Sequence, residues 1–397
     1  AFMKLGIIGL GTVGIGVLEI LVKEKENLKL KGADLEIKYA CDLDHNKVFP
    51  DNFDKTVLTK DYKEILDDDE VDTIVELIGG DTLAKKIILE AIEKGKNVIT
   101  ANKALIAKHS KEIFSKAIEK DVNLFYEASV GGGIPIIAPL LENLVANNIL
   151  GIRGIINGTC NYILSEMKDK NLEFDVVLKD AMEKGYAEAD PTFDIEGIDA
   201  AHKICILASL AFNKTVDVSK IFTNGISKIK LSDLKLADSL GYSIKLIAAA
   251  VEKNNRLEIS VEPTLVKKVD LLSNVEGVFN AVEVEGDYVG KTLFYGRGAG
   301  KEATASAVVA DIVKASLNCR YKDRHYFNIE SDANLIPKDE FIGKFYVRVN
   351  EEIKELDNIS FDKHSIKNDI VYFTNEIYRK KLEEILLKRE NSILKIN

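Results

Sequence analysis

The chain has 397 residues, 46% of them hydrophobic and 30% charged, with a formal net charge of −10 at pH 7. That length predicts two or three domains with a sizeable core, and the composition is that of a globular protein. The acidic balance, with no dense Lys/Arg stripe, argues against a nucleic-acid partner, and no apolar run of membrane length or signal-peptide pattern argues for a membrane.

Cys41, Cys160, Cys205 and Cys319 are widely spaced with no C-x-x-C. They read as free thiols in a reducing, cytoplasmic compartment. The five histidines are scattered, so no zinc-type cluster is expected.

Lys4 to Ile8 is a short β-prone run. Gly9, Gly11 and Gly14 follow as G-x-G-x-x-G, and Val17, Leu18, Leu21 and Val22 then set a helical pattern. Glycines between a strand and a helix permit a tight turn and the close approach of a pyrophosphate, with the helix N-terminus offering amide N–H groups. A second strand, Leu35 to Cys41, ends at Asp42, an acid placed to bond the ribose of NAD; Asp44 competes for that role. No arginine adjoins this strand end to receive a 2′-phosphate.

Residues 71–80 read as a buried strand ending in two glycines, followed by a helix over Leu83–Lys94. A strand at Asn97–Thr100 leads into Ala101-Asn102-Lys103 and another helix. Asn123–Ala128 reads as a further strand before Gly131-Gly132-Gly133. Strands alternating with helices predict an α/β, doubly wound parallel sheet of the Rossmann type, with function at the carboxyl ends of its strands. Lys103 and Glu127 fall near such ends. Taken singly, each is more often a surface charge than a site.

The middle of the chain reads as α+β. A helix is expected over Leu140–Ala146, then a strand at 149–157 ending in Asn157-Gly158-Thr159, then helices through Tyr162 and over Phe174–Lys184. Residues 181–203 crowd Glu188, Asp190, Asp194, Glu196 and Asp199 around Pro191, Gly185 and Gly197. The helix 199–212 that follows has only Asp199, His202, Lys203 and Ser209 as polar residues. A helix that apolar is buried. Asp199 and Lys203, four apart, share a face that continues through Ile206 and Leu210. An ordinary helix pair is the bland reading. A buried ammonium among carboxylates is costly unless used. Strands are then expected at Ser243–Val251, Arg256–Val261 and Asn280–Val284.

Residues 296–316 begin glycine-rich and run helical, as a segment that returns to the first domain. In the tail, Lys344–Val349, Asp369–Thr374 and Ile393–Ile396 read as strands, and Tyr378–Arg389 as an amphipathic helix. The expected division is 1–130 plus 296–325 for dinucleotide binding, 131–295 for substrate and dimerisation, and 330–397 as a small α+β segment.

The ordered motifs resemble homoserine dehydrogenase. They are GLGTVG at the N-terminus, ANK at 101–103, EASVGGGIP at 127–135, NGTCNYIL at 157–164, the loop with Gly185, Tyr186, Asp190, Pro191, Asp194, Gly197, Asp199 and Lys203, and GRGAGKEATASAV at 296–308. The resemblance spans roughly residues 3–320. It implies interconversion of L-homoserine and L-aspartate 4-semialdehyde with NAD or NADP, in threonine, methionine and isoleucine biosynthesis, by a homodimer. By the same resemblance Lys203 is the proton-transferring lysine and Lys103 a second lysine near nicotinamide and substrate. Glu188 binds substrate, supported by Asp194 and Asp199. Gly11, Thr12, Val13 and Gly300 contact the cofactor. Glu127, Val130, Gly132 and Ile134 form a monovalent cation site, usually for sodium, in which backbone carbonyls join one carboxylate.

The tail departs from the family pattern. It has a strand but no Pro-Gly turn, as in a shortened ACT-like segment, so threonine feedback is not expected. Two alternatives stand beside the resemblance: another nicotinamide enzyme acting on a hydroxy or amino acid, and a non-catalytic NAD-binding sensor. The 181–203 match disfavours the first. The presence of both Lys203 and Glu188 disfavours the second.

Overall fold

The computed structural model describes residues 2–317, 327–387 and 389–397; Cys319 lies outside them. The chain forms two compact units, one of Ala1–Asn147, Cys205–Asp217 and Gly296–Asp332, the other of Asn148–Ile204, Val218–Tyr295 and Ala333–Asn397.

The first unit begins β1 (Phe2–Ile8), α1 (Thr12–Lys23), α2 (Lys25–Leu30), β2 (Asp34–Cys41), β3 (Leu58–Thr59), α3 (Tyr62–Asp67) and β4 (Thr73–Glu76). It continues with α4 (Thr82–Glu93), β5 (Asn97–Thr100), α5 (Lys103–Lys120) and β6 (Leu124–Phe125). The six strands pair in the order β3-β2-β1-β4-β5-β6, all parallel. The order reverses between β1 and β4, which opens a crevice at their carboxyl ends. Leu5 and Ile7 of β1, Val75 of β4 and Ile99 of β5 are fully buried. They pack with Val17, Leu18 and Leu21 on the inner stripe of α1, and with Ala305, Val308 and Ile312 of the helix Lys301–Leu317. The returning helix thus belongs to this core, and Lys301 pairs with Glu19 of α1 at 2.6 Å.

The second unit contains β7 (Ile149–Ile155), α6 (Gly158–Lys170), α7 (Phe174–Glu183), α8 (Thr192–Ile195), α9 (Ile198–Ala211, which runs on into the first unit's share of the chain) and β8 (Phe222–Thr223). After these come α10 (Leu231–Ser239), β9 (Tyr242–Lys253), β10 (Arg256–Lys267), β11 (Phe279–Gly286) and β12 (Gly290–Arg297). The tail adds β13 (Ile342–Val349), β14 (Ser360–Ile366), β15 (Asp369–Thr374), β16 (Ile377–Tyr378) and β17 (Asn391–Ile396). The sheet order is β12-β11-β7-β9-β10-β17-β13-β15-β14. Ile155, Ile247, Val266, Val275 and Ala281 form one core of this sheet, and α6 and α10 lie against it.

Apart from the two-residue β16, which lies off the main strand path, the tail strands with their two short helices follow the β-α-β-β-α-β order of ferredoxin-like units. Strand β17 joins β10 in parallel, so the tail extends the larger sheet. Arg348 of β13 reaches the buried Asp233 of α10, and Arg379 the buried Glu262 of β10.

Several elements differ from expectation for physical reasons. The strand expected over 71–80 stops at Glu76, because that side chain takes the N–H groups of Ile78 and Gly79. The strand expected over Asn123–Ala128 shrinks to β6. The Glu127 N–H goes to Asp311 rather than to a sheet partner, and Glu127–Ser129 coils into a 3-10 turn. The helix expected over Leu140–Ala146 is a wide π-type turn at Pro139–Asn143. Strand β10 runs past Val261 and through Pro263 to Lys267.

Candidate active site

In the first unit the glycine turn joins β1 to α1, with Gly11 at the helix N-cap. Gly9 adopts φ +100°, and a Cβ there would lie 2.6 Å from the Leu77 backbone. A Cβ on Gly14 would lie 2.1 Å from the Gly9 carbonyl oxygen. The fold itself therefore requires those two glycines. A Cβ on Gly11 would meet nothing within 4 Å. Among the described residues nothing demands a glycine there, and the open space suits the close approach of a pyrophosphate. Thr12 is exposed on the first turn and Val13 half-buried beside it.

Asp42, just past β2, closes this turn. Its Oδ2 accepts the Leu10 N–H at 2.8 Å, and its Oδ1 the Asp44 N–H at 2.9 Å. Lys47 Nζ lies 2.7 Å from Asp42 Oδ2 and 2.9 Å from the Leu10 carbonyl oxygen. Burial pushes the Asp42 carboxyl up, but Lys47 and the two amides outweigh it and hold it below the usual range. A cation thus stands at this strand end, where the sequence shows no adjoining arginine. Lys47 lies five positions after Asp42, and the loop folds back to close the gap.

Lys103 is the first residue of α5, half-buried. The side chain of Asn102 caps that helix by accepting the Leu105 N–H at 3.2 Å, and it donates to the Gly80 carbonyl at 2.5 Å. The loops after β4 and β5 are so tied together. Glu76 at the end of β4 accepts the Thr100 hydroxyl at 2.7 Å, and burial raises its pKa. Gly300, with φ +119°, stands exposed just before the helix Lys301–Leu317.

Glu127 is buried, and its carboxylate faces inward. Oε1 accepts the N–H groups of Ile136 and Ile137 at 2.7 and 2.9 Å, and Oε2 accepts that of Ala138 at 2.7 Å. The loop it encloses carries Val130, Gly132 and Ile134, all buried. That loop is pinned by the Gly133 N–H on the Arg297 carbonyl at 3.0 Å. Hard monovalent cations take oxygen donors, and a buried loop rich in carbonyls suits them. The Glu127 carboxylate caps three amides of the segment that follows this loop. No group of three His, Cys, Asp or Glu that could hold a metal occurs among the described residues.

In the second unit the acidic loop ends in α8 and α9. Asp199 on the first turn of α9 and Lys203 one turn later form an ion pair, Nζ to Oδ2 2.7 Å, with side-chain exposures of 5% and 11%. Lys203 Nζ also donates to the Ile156 carbonyl at 2.8 Å. Asn157, the next residue, caps α6 with its Oδ1, which accepts the Cys160 N–H at 2.8 Å. Its Nδ2 donates to Asp194 Oδ1 at 2.7 Å and to Asp199 Oδ2 at 2.9 Å. Thr159 Oγ1 donates to the Tyr186 carbonyl at 2.8 Å, which ties the start of the acidic loop to the same helix end. Glu188 stands exposed on that loop. Burial first, then Asp194 and Asp199, push the Cys160 thiol well up, so it takes no part as a nucleophile at neutral pH.

Asp194, Asp199 and Lys203 are therefore brought together as a cluster, and Asn157 is the residue that joins them. Sequence reading gave Asn157 no role. The available signal was an Asn before Gly-Thr at a strand end, where a polar side chain caps the next helix. Such a cluster, an ammonium paired with Asp199 on a buried helix and a second acid joined to it through Asn157, is suited to moving a proton.

Comparison with known proteins decides the family. The model described as "Homoserine dehydrogenase, NAD binding domain" matches residues 9–127, and that described as "Homoserine dehydrogenase" matches residues 135–313. Homoserine dehydrogenase of Pseudomonas aeruginosa is 50% identical over 312 residues, which cover 78% of this chain and 71% of that protein. The chain belongs to the homoserine dehydrogenase family. As a member it is an NAD(P)-dependent oxidoreductase acting on a CH–OH group. The crystal structure of a homoserine dehydrogenase from Thiobacillus denitrificans matches with a TM-score of 0.91 and 38% identity, covering 100% of this chain and 98% of that one. A hyperthermophilic archaeal homoserine dehydrogenase in complex with NADPH matches with a TM-score of 0.67 and 27% identity, covering 80% and 98%. Among the described residues no helix is long and apolar enough to cross a membrane.

Proposed function

We propose that this chain interconverts L-homoserine and L-aspartate 4-semialdehyde, with Lys203 as the group that moves the hydroxyl proton. The observation that carries the assignment is the placement of Lys203 Nζ, nearly buried between Asp199 Oδ2 and the Ile156 carbonyl. The nicotinamide supplies or accepts the hydride at the carbon that bears the hydroxyl. In the oxidative direction Lys203 takes the hydroxyl proton as that hydride leaves. In the reductive direction it returns the proton to the developing alkoxide. Asp199 orients the ammonium. Glu188, exposed on the acidic loop, pairs the substrate's α-ammonium, and Asp194 supports it. Lys103, at the start of α5, is assigned to nicotinamide and substrate placement.

The coenzyme site comprises Gly9, Gly11, Thr12, Val13, Gly14, Asp42, Lys103 and Gly300. Glu127, Val130, Gly132 and Ile134 are assigned to a monovalent cation such as sodium, with backbone carbonyls joining the one carboxylate. That cation orders the loop and takes no part in proton or hydride transfer. The chain works as a homodimer in the cytoplasm. Val269, Leu271, Tyr288 and Tyr295, exposed in the second unit of a single chain, support an association surface. The deciding experiment is a steady-state assay with homoserine and each coenzyme, read at the absorbance of the reduced nicotinamide. Coenzyme binding with no turnover of homoserine would overturn the proposal.

A further inference from the structure

We infer that Asn157 is a positioning residue of this reaction: its carboxamide keeps Asp199 shared between an amide and Lys203, and so sets the pH at which the lysine exchanges its proton. The inference rests on the role proposed for Lys203.

The orientation of the carboxamide follows from its partners. One atom faces the Cys160 N–H at 2.8 Å and must be the oxygen. The other faces Asp194 and Asp199 at 2.7 and 2.9 Å and must be the nitrogen, since an oxygen there would confront two carboxylates. Both amide hydrogens are thereby committed to acids. Asp199 Oδ2 accepts from Asn157 and from Lys203 alike. Asn157 is 5% exposed and Asp199 4%, so water competes poorly for either.

Asp194 and Glu196 from α8 and its end, Cys160 from α6 and His202 from α9 also face the cluster. Cys160 feels Asp194, Asp199, Glu196 and Lys203 together, and His202 packs its ring against Phe193. Among these acids the carboxamide is a neutral spacer that donates to both carboxylates. Without its donors, Asp199 Oδ2 would turn wholly to Lys203. The ammonium would be favoured, and the neutral amine that accepts the hydroxyl proton would form only at higher pH. Strand and helix make this inevitable in sequence terms: residue 156 presents its carbonyl to the lysine and residue 157 its side chain to the acids.

The helix-cap role and the positioning role separate by substitution. Asn157→Ser keeps a good cap and removes the donors to the acids. Asn157→Asp keeps the cap and nearly the shape, but sets a third carboxylate among the other two. The wild-type enzyme, both variants and Lys203→Ala are assayed for homoserine oxidation across pH, alongside NAD affinity and thermal unfolding. Asn157→Ser should move the rising limb of kcat upward by about half a pH unit or more, about threefold in neutral amine at a given pH. NAD affinity and Tm should stay near wild type. Asn157→Asp should lose more, about tenfold or greater in kcat at neutral pH. Wild-type limbs in both variants, with Lys203→Ala inactive, would reduce Asn157 to a helix cap and overturn the inference alone. No turnover of homoserine by the wild type would instead overturn the reading of Lys203 on which it rests.

Discussion

The two units hold their buried acids in different ways. In the first, backbone amides do most of the work. Glu127 takes the N–H groups of Ile136, Ile137 and Ala138, and Glu76 those of Ile78 and Gly79. In the second, side chains do it: Asn157 reaches Asp194 and Asp199, and Lys203 reaches Asp199. An amide N–H cannot titrate and moves only if the chain moves. An ammonium titrates and swings on a flexible stem. The first arrangement fixes a loop's shape. The second suits the proton transfer proposed for Lys203.

The largest effect expected from that contrast is at Lys203. Lys203→Ala should lower kcat by ~10²–10⁴, as for a lost acid–base group, and leave coenzyme affinity nearly intact. Steady-state kinetics and a coenzyme titration check both halves. Near-normal kcat here, with Lys103→Ala inactive, would reverse the roles of the two lysines.

The next effect is on stability, in the first unit. Asp311 is buried, and its Oδ2 accepts the Glu127 N–H at 2.9 Å. Burial first, and the Glu127 carboxylate second, push its carboxyl well above the usual range. Its folded value thus exceeds its unfolded one. Its contribution to stability is fully present below the unfolded value of about 3.9 and is lost as pH rises through the folded value. D311N removes the charge and keeps an oxygen for the Glu127 N–H. It should exceed the parent by about 1–3 kcal/mol at pH 8 and match it near pH 4. Urea unfolding at the two pH values measures this. An equal offset at both would mean that Asp311 bears no charge penalty, and the contrast between the units would lose its first-unit half.

What was legible in the sequence follows the reach of local spacing. Gly9, Gly11 and Gly14 fall within one turn, and Asp199 and Lys203 within one helical turn, so periodicity finds both. The parallel sheet was legible from its alternation of strands and helices. Asn157 lies 42 residues from Asp199, and only the fold makes them neighbours. The resemblance makes Glu127 the one carboxylate of a cation site and says nothing of the amides it holds. Its amide partners lie nine to eleven residues on, and no side-chain pattern marks a backbone N–H. Strand β14 was missed because it reads SFDKHSI, with Phe361 56% exposed. It ends the sheet order, and a charged edge strand carries no buried-face alternation.

Asp42 stands between the two modes, and the smallest effect is expected there. Two amides fix it, as in the first mode, but Lys47 also grips it, as in the second. Side-chain exposures of 16% and 23% leave the pair partly open to solvent, so its coupling is modest. With NAD, the carboxylate stands ready for a ribose hydroxyl. With NADP, the 2′-phosphate meets Asp42 unfavourably and Lys47 favourably, and these two nearly offset. NAD should therefore serve at least as well as NADP in kcat/KM. Lys47→Ala removes the favourable half for the phosphate and should lower the NADP-to-NAD ratio of kcat/KM by about threefold, in line with an exposed ion pair of less than 1 kcal/mol. The amides that hold Asp42 are untouched, so NAD kinetics should barely change. A ratio unmoved by Lys47→Ala would place the phosphate elsewhere. A fall in NAD turnover as large as that in NADP turnover would mean that Lys47, and not the backbone, shapes this turn, and Asp42 would then belong with the side-chain-held acids of the second unit.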